Sequence, residues 1–133
     1  VRARPTPERM SDPAPPVPRP DRRGAPTEAG APAPLAIAVI GIGYVGLVAA
    51  ACLADAGHTV TCIDRDGARL EVLRAGVVPI HEPGLDEVLT RALAARRLRF
   101  HDTLAAAADA DVVLVTVGTP VAPDGGADVG DVL

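Results

Sequence analysis

The sequence predicts an α/β fold of the Rossmann type, with a parallel sheet in the strand order 3-2-1-4 and helices on both faces. Three observations predict it. Short apolar runs alternate with helical patterns from residue 35 onward, a G-x-G-x-x-G pattern occupies 41–46, and Asp64 ends the second apolar run. Strands that alternate with helices form parallel sheets through right-handed crossovers.

The first 34 residues differ in composition from the rest of the chain. They hold ten of the fourteen prolines, and proline lacks an N–H donor and fixes φ. We therefore expect 1–34 to be a disordered Pro/Arg-rich tail and 35–133 to be a partial NAD-binding Rossmann domain. A polyproline ligand or a basic targeting arm is the alternative interpretation of the tail.

The first βαβ unit has clear local signals. The apolar run over 35–40 predicts a strand covered on both faces. The stretch 44–56 is apolar almost all round and predicts a buried helix that ends at Gly57. The β-branched residues over 58–64 predict the second strand.

Two helices and a strand follow. Asp66 is placed to cap a helix over 67–75. Apolar residues then recur at helical spacing from Leu85, with acidic residues in the first turn and arginines at the end, as the helix dipole favours. Residues 98–101 predict a short strand.

The last part of the chain predicts one more helix and strand. Asp102 is placed to cap an alanine-rich helix over 103–109, and 112–117 is an apolar run that predicts a buried strand. Residues 128–133 resemble the start of a further helix. We therefore interpret the sequence as a truncated domain.

The glycine pattern is the candidate ligand site. Gly41 allows the tight turn, Gly43 lets the backbone approach a pyrophosphate, and Gly46 lets the helix pack closely on the sheet. The N-terminus of that helix presents N–H groups and a positive dipole end to the phosphates. Asp64 is placed to accept both ribose hydroxyls and repels a 2′-phosphate. The expected cofactor is therefore NAD rather than NADP, a preference that Arg65 and Arg69 nearby weaken slightly.

Alternatives stay open at this site. A methyltransferase loop alternates its glycines as G-x-G-x-G, and Val45 disfavours that interpretation. A glycine turn that binds no ligand is a further alternative. Thr119 ends the predicted fourth strand, at the edge where open α/β sheets bind ligands. Its hydroxyl is placed to reach a nicotinamide ribose or an ordered water, and a loop threonine with no such role is the equal alternative.

Composition excludes several classes of function. Residues 35–133 carry seven arginines against thirteen acidic residues, and the whole chain has no Trp, one Tyr and one Phe, so we expect no nucleic-acid surface. Lysine is absent, which excludes a Schiff base and a P-loop. No apolar run reaches the length of a membrane span, so we expect no membrane partner.

The two cysteines lie in apolar runs and suit a reducing cytoplasm better than a disulfide framework. We expect Cys52 and Cys62 to be buried and therefore inert. We also expect no metal site, because the three histidines lack ligand spacing: His58, His81 and His101. The chain itself is expected to hold no catalytic residue.

From Ile37 onward the sequence resembles the UDP-glucose/GDP-mannose dehydrogenase family, in its N-terminal NAD-binding domain. Four motifs carry the resemblance: the glycine loop over 39–47, the segment 57–60 that leads to 64–66, the block 76–85, and 117–120 with the residues that follow. The last four residues of that block, Glu-Pro-Gly-Leu, together with Tyr-Val-Gly-Leu in the glycine loop, are most similar to the UDP-glucose members.

The resemblance implies an oxidoreductase that converts the C6 alcohol of UDP-glucose or a related nucleotide sugar to a carboxylate. It does so in two hydride transfers to NAD, in polysaccharide biosynthesis, and as a homo-oligomer. The resemblance also implies cofactor contacts at matching positions: the backbone of Tyr44 and Val45 at the pyrophosphate, Asp64 and Arg69 at the adenosine ribose, Glu82 in a loop on the cofactor side, and Thr119 near the nicotinamide. His81 departs from the aromatic residue that is common there.

In this family the nucleophilic cysteine, the catalytic lysine and asparagine, and the sugar-nucleotide domain lie beyond the N-terminal domain. The resemblance therefore implies that this chain alone is inactive. A different class of function stays open, namely a stand-alone, non-catalytic nucleotide-binding or regulatory module. The short length and the proline-rich arm favour that alternative.

Overall fold

The computed structural model describes residues 33–130 and Val132. The predicted tail lies outside the described residues except for its last two positions. The elements follow in the order β1 (Ala36–Ile40), α1 (Tyr44–Asp55), β2 (Thr59–Ile63), α2 (Gly67–Arg74), α3 (Leu85–Ala94), β3 (Leu98–His101), a short 3₁₀ helix (Leu104–Ala107) and β4 (Val112–Val115).

The four strands form one parallel sheet in the order β3-β2-β1-β4. β1 is central: Ile37 is paired with Val60 of β2 on one side and with Val112 of β4 on the other. The parallel sheet, its order 3-2-1-4 and its flanking helices confirm the predicted fold class. Because β1 and β4 are neighbours, the carboxyl ends of β1, β2 and β4 meet at one edge.

One apolar cluster joins the sheet to its helices. Alternate strand residues enter it, as the two-residue period of a strand requires, and the buried sides of α1, α2 and α3 complete it. Each fully buried leucine in such a cluster contributes roughly 1.5–3 kcal/mol relative to an exposed one. The completely buried leucines are Leu47 on α1, Leu70 and Leu73 on α2, and Leu89 on α3.

Two of the predicted helix ends are formed by the residues that were expected there. The side chain of Asp66 accepts a hydrogen bond from Arg69 N at 3.1 Å and so caps α2. Gly57 follows the C-cap of α1 with φ +105°, in the left-handed region that glycine adopts without strain. Both signals are local, because a cap and a positive φ are properties of neighbouring residues.

The prediction of a helix over 103–109 capped by Asp102 is wrong. The segment forms a 3₁₀ helix of four residues, and its cap is Thr103, whose hydroxyl accepts from Ala105 N at 3.4 Å. None of its four residues is buried. Alanine favours helix, but a short helix is marginal unless tertiary packing stabilises it.

The prediction that the fourth strand is buried is also wrong. Val113 and Val115 are 48% and 51% exposed. β4 is an edge strand among the described residues, so one side of it lacks a neighbour. An apolar run shows that a strand can be covered on both faces, but it does not show which element covers it. The strand also ends at Val115, two residues earlier than predicted.

Two further expectations differ from the structure. Cys52 is exposed on α1, because that helix buries the side that carries Leu47 and Ala51 and presents Cys52 to solvent. Of the segment 128–133, which was expected to start a helix, residues 128–130 are not helical, and positions 131 and 133 lie outside the described residues. No helix in the described part of the chain combines the length and apolar character that a membrane span requires.

Candidate cofactor-binding site

A cleft with a volume of about 370 Å³ lies at the carboxyl edge of the sheet. Its walls come from the ends of β1, β2 and β4 and from the segment after β3. Among the predicted site residues, four line this cleft: Gly41, Gly43, Asp64 and Arg69. A cleft of this size accommodates a small-molecule ligand.

The turn after β1 requires glycine at its first position. Gly41 has φ +89°, and its N–H donates to Ile63 O at 2.8 Å, which ties the turn to the end of β2. A Cβ at Gly41 would lie 2.9 Å from both Val117 N and Val117 Cγ1. Both the backbone angle and the space therefore exclude a side chain here.

Gly46 lets helix α1 approach this turn closely. A Cβ at Gly46 would lie 2.0 Å from Gly41 O and 2.6 Å from Thr116 Oγ1. Such distances are far below van der Waals contact, so any side chain would push the first turn of α1 away from the sheet. The predicted packing role of this glycine agrees with these distances.

Gly43 has different surroundings. It is the N-cap of α1, and a Cβ built on it would meet no atom within 4 Å. No side chain caps α1, and no acidic residue lies in its first turn. The first N–H groups of a helix have no intrahelical acceptor, and they carry the positive end of the dipole. Open space beside an uncapped helix N-terminus suits an anion such as a pyrophosphate.

The carboxylate of Asp64 lines the same cleft, at the end of β2. Its Oδ2 accepts from Ile42 N at 2.7 Å, and its Oδ1 accepts from Asp66 N at 2.9 Å. Burial disfavours the ionised form, but the bonds from Asp66 and Ile42 and the nearby Arg69 outweigh it and lower the pKa of Asp64. The carboxylate is therefore ionised at neutral pH.

Arg69 holds this carboxylate from the side of α2. Its Nη1 lies 3.3 Å from Asp64 Oδ2, and its Nη2 lies 3.6 Å from Asp66 Oδ2. Asp64 is only 9% exposed at its side chain, whereas the side chain of Arg69 is 40% exposed. The pair thus presents one oriented carboxylate to the cleft with its charge partly balanced.

Tyr44, Val45 and Glu82 lie around the start of α1. The Tyr44 hydroxyl donates to Glu82 Oε1 at 2.5 Å, which joins α1 to the loop before α3. The hydrogen bond to Glu82 is the main cause that raises the pKa of Tyr44. The side chains of Tyr44 and Val45 are exposed, and neither residue lines the cleft.

The structure does not place Thr119 in the wall of the cleft. Thr119 is exposed in the loop after β4, whereas Thr116 and Val117 line the cleft. Sequence reasoning missed Thr116. The available signal was weak: Thr116 is the one polar residue in the run 112–117.

The described residues contain no group of three or more histidine, cysteine, aspartate or glutamate side chains that is suited to a metal ion. Burial raises the pKa of the Cys62 thiol, so that thiol is a poor nucleophile. Cys52 is exposed on α1, and neither cysteine is among the residues that line the cleft.

A family model described as the NAD-binding domain of the UDP-glucose/GDP-mannose dehydrogenase family matches residues 35–133. The chain belongs to this family. Its matched part is the family's NAD-binding domain, and NAD is the cofactor. The polar groups of the cleft fit NAD, because the cleft combines an uncapped helix N-terminus for the pyrophosphate with an ionised carboxylate for a ribose.

Curated relatives of this family member are named UDP-glucose 6-dehydrogenase. The protein of Pseudomonas aeruginosa is 52% identical over 98 residues, which are 73% of this chain and 22% of that protein. The protein of Rhizobium meliloti is 49% identical over 85 residues, which are 63% of this chain and 20% of that protein. The chain therefore spans about a fifth of the length of these relatives.

Solved structures agree. A UDP-glucose dehydrogenase from the hyperthermophilic archaeon Pyrobaculum islandicum matches with a TM-score of 0.74 and 43% identity, over 80% of this chain and 24% of that one. A ternary complex of GDP-mannose dehydrogenase from Pseudomonas aeruginosa matches with a TM-score of 0.68 and 36% identity, over 72% of this chain and 22% of that one.

Proposed function

We propose that this chain is the NAD-binding part of a nucleotide-sugar dehydrogenase similar to UDP-glucose 6-dehydrogenase. The parent enzyme oxidises the C6 alcohol of a nucleotide sugar to a carboxylate in two steps. UDP-glucose is the proposed substrate. One observation carries the proposal: the open, uncapped start of α1 at Gly43 and the carboxylate of Asp64 share one cleft. The similarity to named UDP-glucose 6-dehydrogenases supports the choice of substrate.

Each end of the cleft has a distinct role in this proposal. The backbone N–H groups at the start of α1, at Tyr44 and Val45, hold the pyrophosphate, since they point outward from an uncapped helix end. Glu82 accepts a hydrogen bond from the Tyr44 hydroxyl and so holds that side chain against the loop before α3. When bound, NAD supplies the hydride acceptor of the reaction.

The carboxylate of Asp64 holds the adenosine ribose. Two carboxylate oxygens offer about four acceptor sites, and the bonds from Ile42 N, Asp66 N and Arg69 use three of them. One acceptor position on Oδ1 remains for a ribose hydroxyl. The second ribose hydroxyl takes the position on Oδ2 that Arg69 now occupies. A 2′-phosphate would bring negative charge against the ionised Asp64, so NAD is favoured over NADP.

No residue of this chain is proposed as catalytic. An aldehyde that goes on to an acid needs a nucleophile to hold it covalently. The Cys62 thiol is buried with a raised pKa, and the exposed Cys52 does not line the cleft. We place the nucleophile and the sugar-nucleotide site in a part of the parent enzyme outside this chain. Thr119 keeps its proposed position near the nicotinamide as part of that assembled site.

Two features of the parent enzyme complete the proposal. Both cysteines are free thiols, which supports a cytoplasmic location. A homo-oligomeric state follows the family resemblance. Neither a nucleic acid nor a membrane is proposed as a partner, because residues 35–133 are acidic and poor in aromatic residues.

Binding of NAD to variants of the chain tests the site. Gly43→Val fills the open space at the start of α1, and Asp64→Ala removes the ribose acceptor, so each should weaken NAD binding in calorimetric titration. Gly67→Ala, at a helix start with equally open space, is the matched control and should leave binding unchanged. If both site variants bind NAD as tightly as the wild type, the site assignment is wrong.

The substrate is tested in a protein that carries this domain together with the remaining length of its relatives. UDP-glucose and NAD should yield two NADH for each sugar consumed. One NADH per sugar, or none with UDP-glucose while another nucleotide sugar reacts, would contradict the proposed reaction or its substrate.

A further inference from the structure

We propose that Thr116 is a positioning residue for the cofactor. Its hydroxyl fixes the orientation of the peptide plane between Gly41 and Ile42, on which the glycine turn and the ribose-binding carboxylate both depend. This inference rests on the site proposed above and adds a residue from β4 to it.

The Thr116 hydroxyl reaches the carbonyl of the glycine turn. Thr116 N donates to Ile40 O at 2.8 Å, which continues the β1–β4 ladder past the end of β4. Oγ1 then lies 2.6 Å from Gly41 O and 3.1 Å from Ile40 O. A hydroxyl has one proton to donate, and the shorter distance favours Gly41 O as its acceptor.

The same peptide unit is held at its other end. Ile42 N, which belongs to the peptide plane of the Gly41 carbonyl, donates to Asp64 Oδ2 at 2.7 Å. Because a trans peptide is planar, its C=O and N–H point in opposite directions. The Thr116 hydroxyl and the Asp64 carboxylate therefore form hydrogen bonds to opposite sides of one rigid peptide plane.

This arrangement couples the two proposed cofactor contacts. If the hydroxyl is lost, the carbonyl of Gly41 lacks its donor, and the plane can tilt because glycine has no Cβ to restrict the backbone next to it. The Ile42 N–H then loses its alignment to Asp64, so the ribose acceptor loosens. The start of α1 loosens as well, because Gly46 packs against both Gly41 O and Thr116 Oγ1.

The test compares Thr116→Val with Thr116→Ser in the whole chain. Valine keeps the branched shape but removes the donor, and we expect the NAD dissociation constant to rise about tenfold, equal to about 1.4 kcal/mol. Serine keeps the donor and should bring the constant back close to the wild-type value. Thr61→Val is the matched control: Thr61 is a buried strand threonine in β2 outside the cleft, and its loss should not change NAD binding.

A second readout needs no cofactor. The Ile42 amide should exchange its hydrogen faster in Thr116→Val than in Thr116→Ser or Thr61→Val, because its bond to Asp64 is weakened. Should Thr116→Val fail to fold, Thr116→Ala against Thr116→Ser gives the same comparison. The proposal is overturned if the valine and serine variants match each other in NAD affinity and in exchange at Ile42.

The outcome separates this inference from the proposed function. If Gly43→Val and Asp64→Ala weaken NAD binding while Thr116→Val does not, the site stands and the role of Thr116 is wrong. If none of these variants changes NAD binding, the site assignment itself fails.

Discussion

The close approach of α1 to the glycine turn makes Gly46→Ala the most informative single substitution for the fold. The added Cβ would lie 2.0 Å from Gly41 O, whereas ordinary contact begins at about 3.4 Å, so backbone must move by more than an ångström. Overpacking of this kind costs roughly 1–3 kcal/mol, and occasionally more. The higher helix propensity of alanine relative to glycine offsets at most about 1 kcal/mol of this cost.

We expect the free energy of unfolding to fall by about 2 kcal/mol, because the clashing atom, Gly41 O, belongs to the backbone and cannot rotate away. For a domain of about 100 residues this lowers the midpoint of thermal unfolding by roughly 10 °C. Circular dichroism of the whole chain measures it, and Gly67→Ala is the control, because no atom lies within 4 Å of its Cβ position. If the Gly46 and Gly67 variants unfold at the same temperature, the close contact between α1 and the turn is refuted.

Two further predictions use single side chains. The chain has one Tyr and no Trp, so tyrosinate absorbance reports the titration of Tyr44 alone. Glu82→Gln should lower the midpoint of this titration, because the hydrogen bond to Glu82 raises the pKa of Tyr44. An unchanged midpoint would show that this bond does not form in solution. The pKa of Asp64 is lowered in the folded chain, so its ionised form stabilises the fold above the unfolded-state pKa of about 3.9, and this stabilisation is lost as the pH falls through the lower folded-state pKa. Asp64→Asn should therefore flatten the acid limb of stability against pH; identical acid limbs in the two proteins would contradict the assigned hydrogen bonds.

The parts of the fold that are predictable from sequence have local causes. The glycines of the turn, the cap at Asp66 and the glycine after α1 act within a few residues of themselves. The position of Asp64 follows from the βαβ unit, because a strand, a turn and one helix fix where the second strand ends. The strand order then follows from connection rules rather than from contacts.

Features that depend on distant parts of the chain were missed. Thr116 is 75 residues from Gly41, and only the position of β4 beside β1 brings its hydroxyl to that carbonyl. In the sequence it is one β-branched residue in an apolar strand. Cys52 was misplaced for a related reason: α1 is apolar on almost every side, so its pattern does not show which side faces the sheet.

The exposure of β4 has the same origin. An apolar strand indicates that some element can cover it, and the sequence of the strand does not name that element. The 3₁₀ helix before β4 is short because none of its residues is buried, although its alanines favour a longer helix. Tertiary packing decided both cases.

Calorimetric titration of the folded chain with NAD, and with NADP in parallel, decides whether this cleft binds the dinucleotide and selects it by Asp64. We expect NAD binding in the micromolar to millimolar range and weaker binding of NADP, because the uncapped start of α1 accepts the pyrophosphate and the ionised Asp64 repels a 2′-phosphate. A folded chain that binds no NAD, or that binds NADP as tightly as NAD, would contradict it.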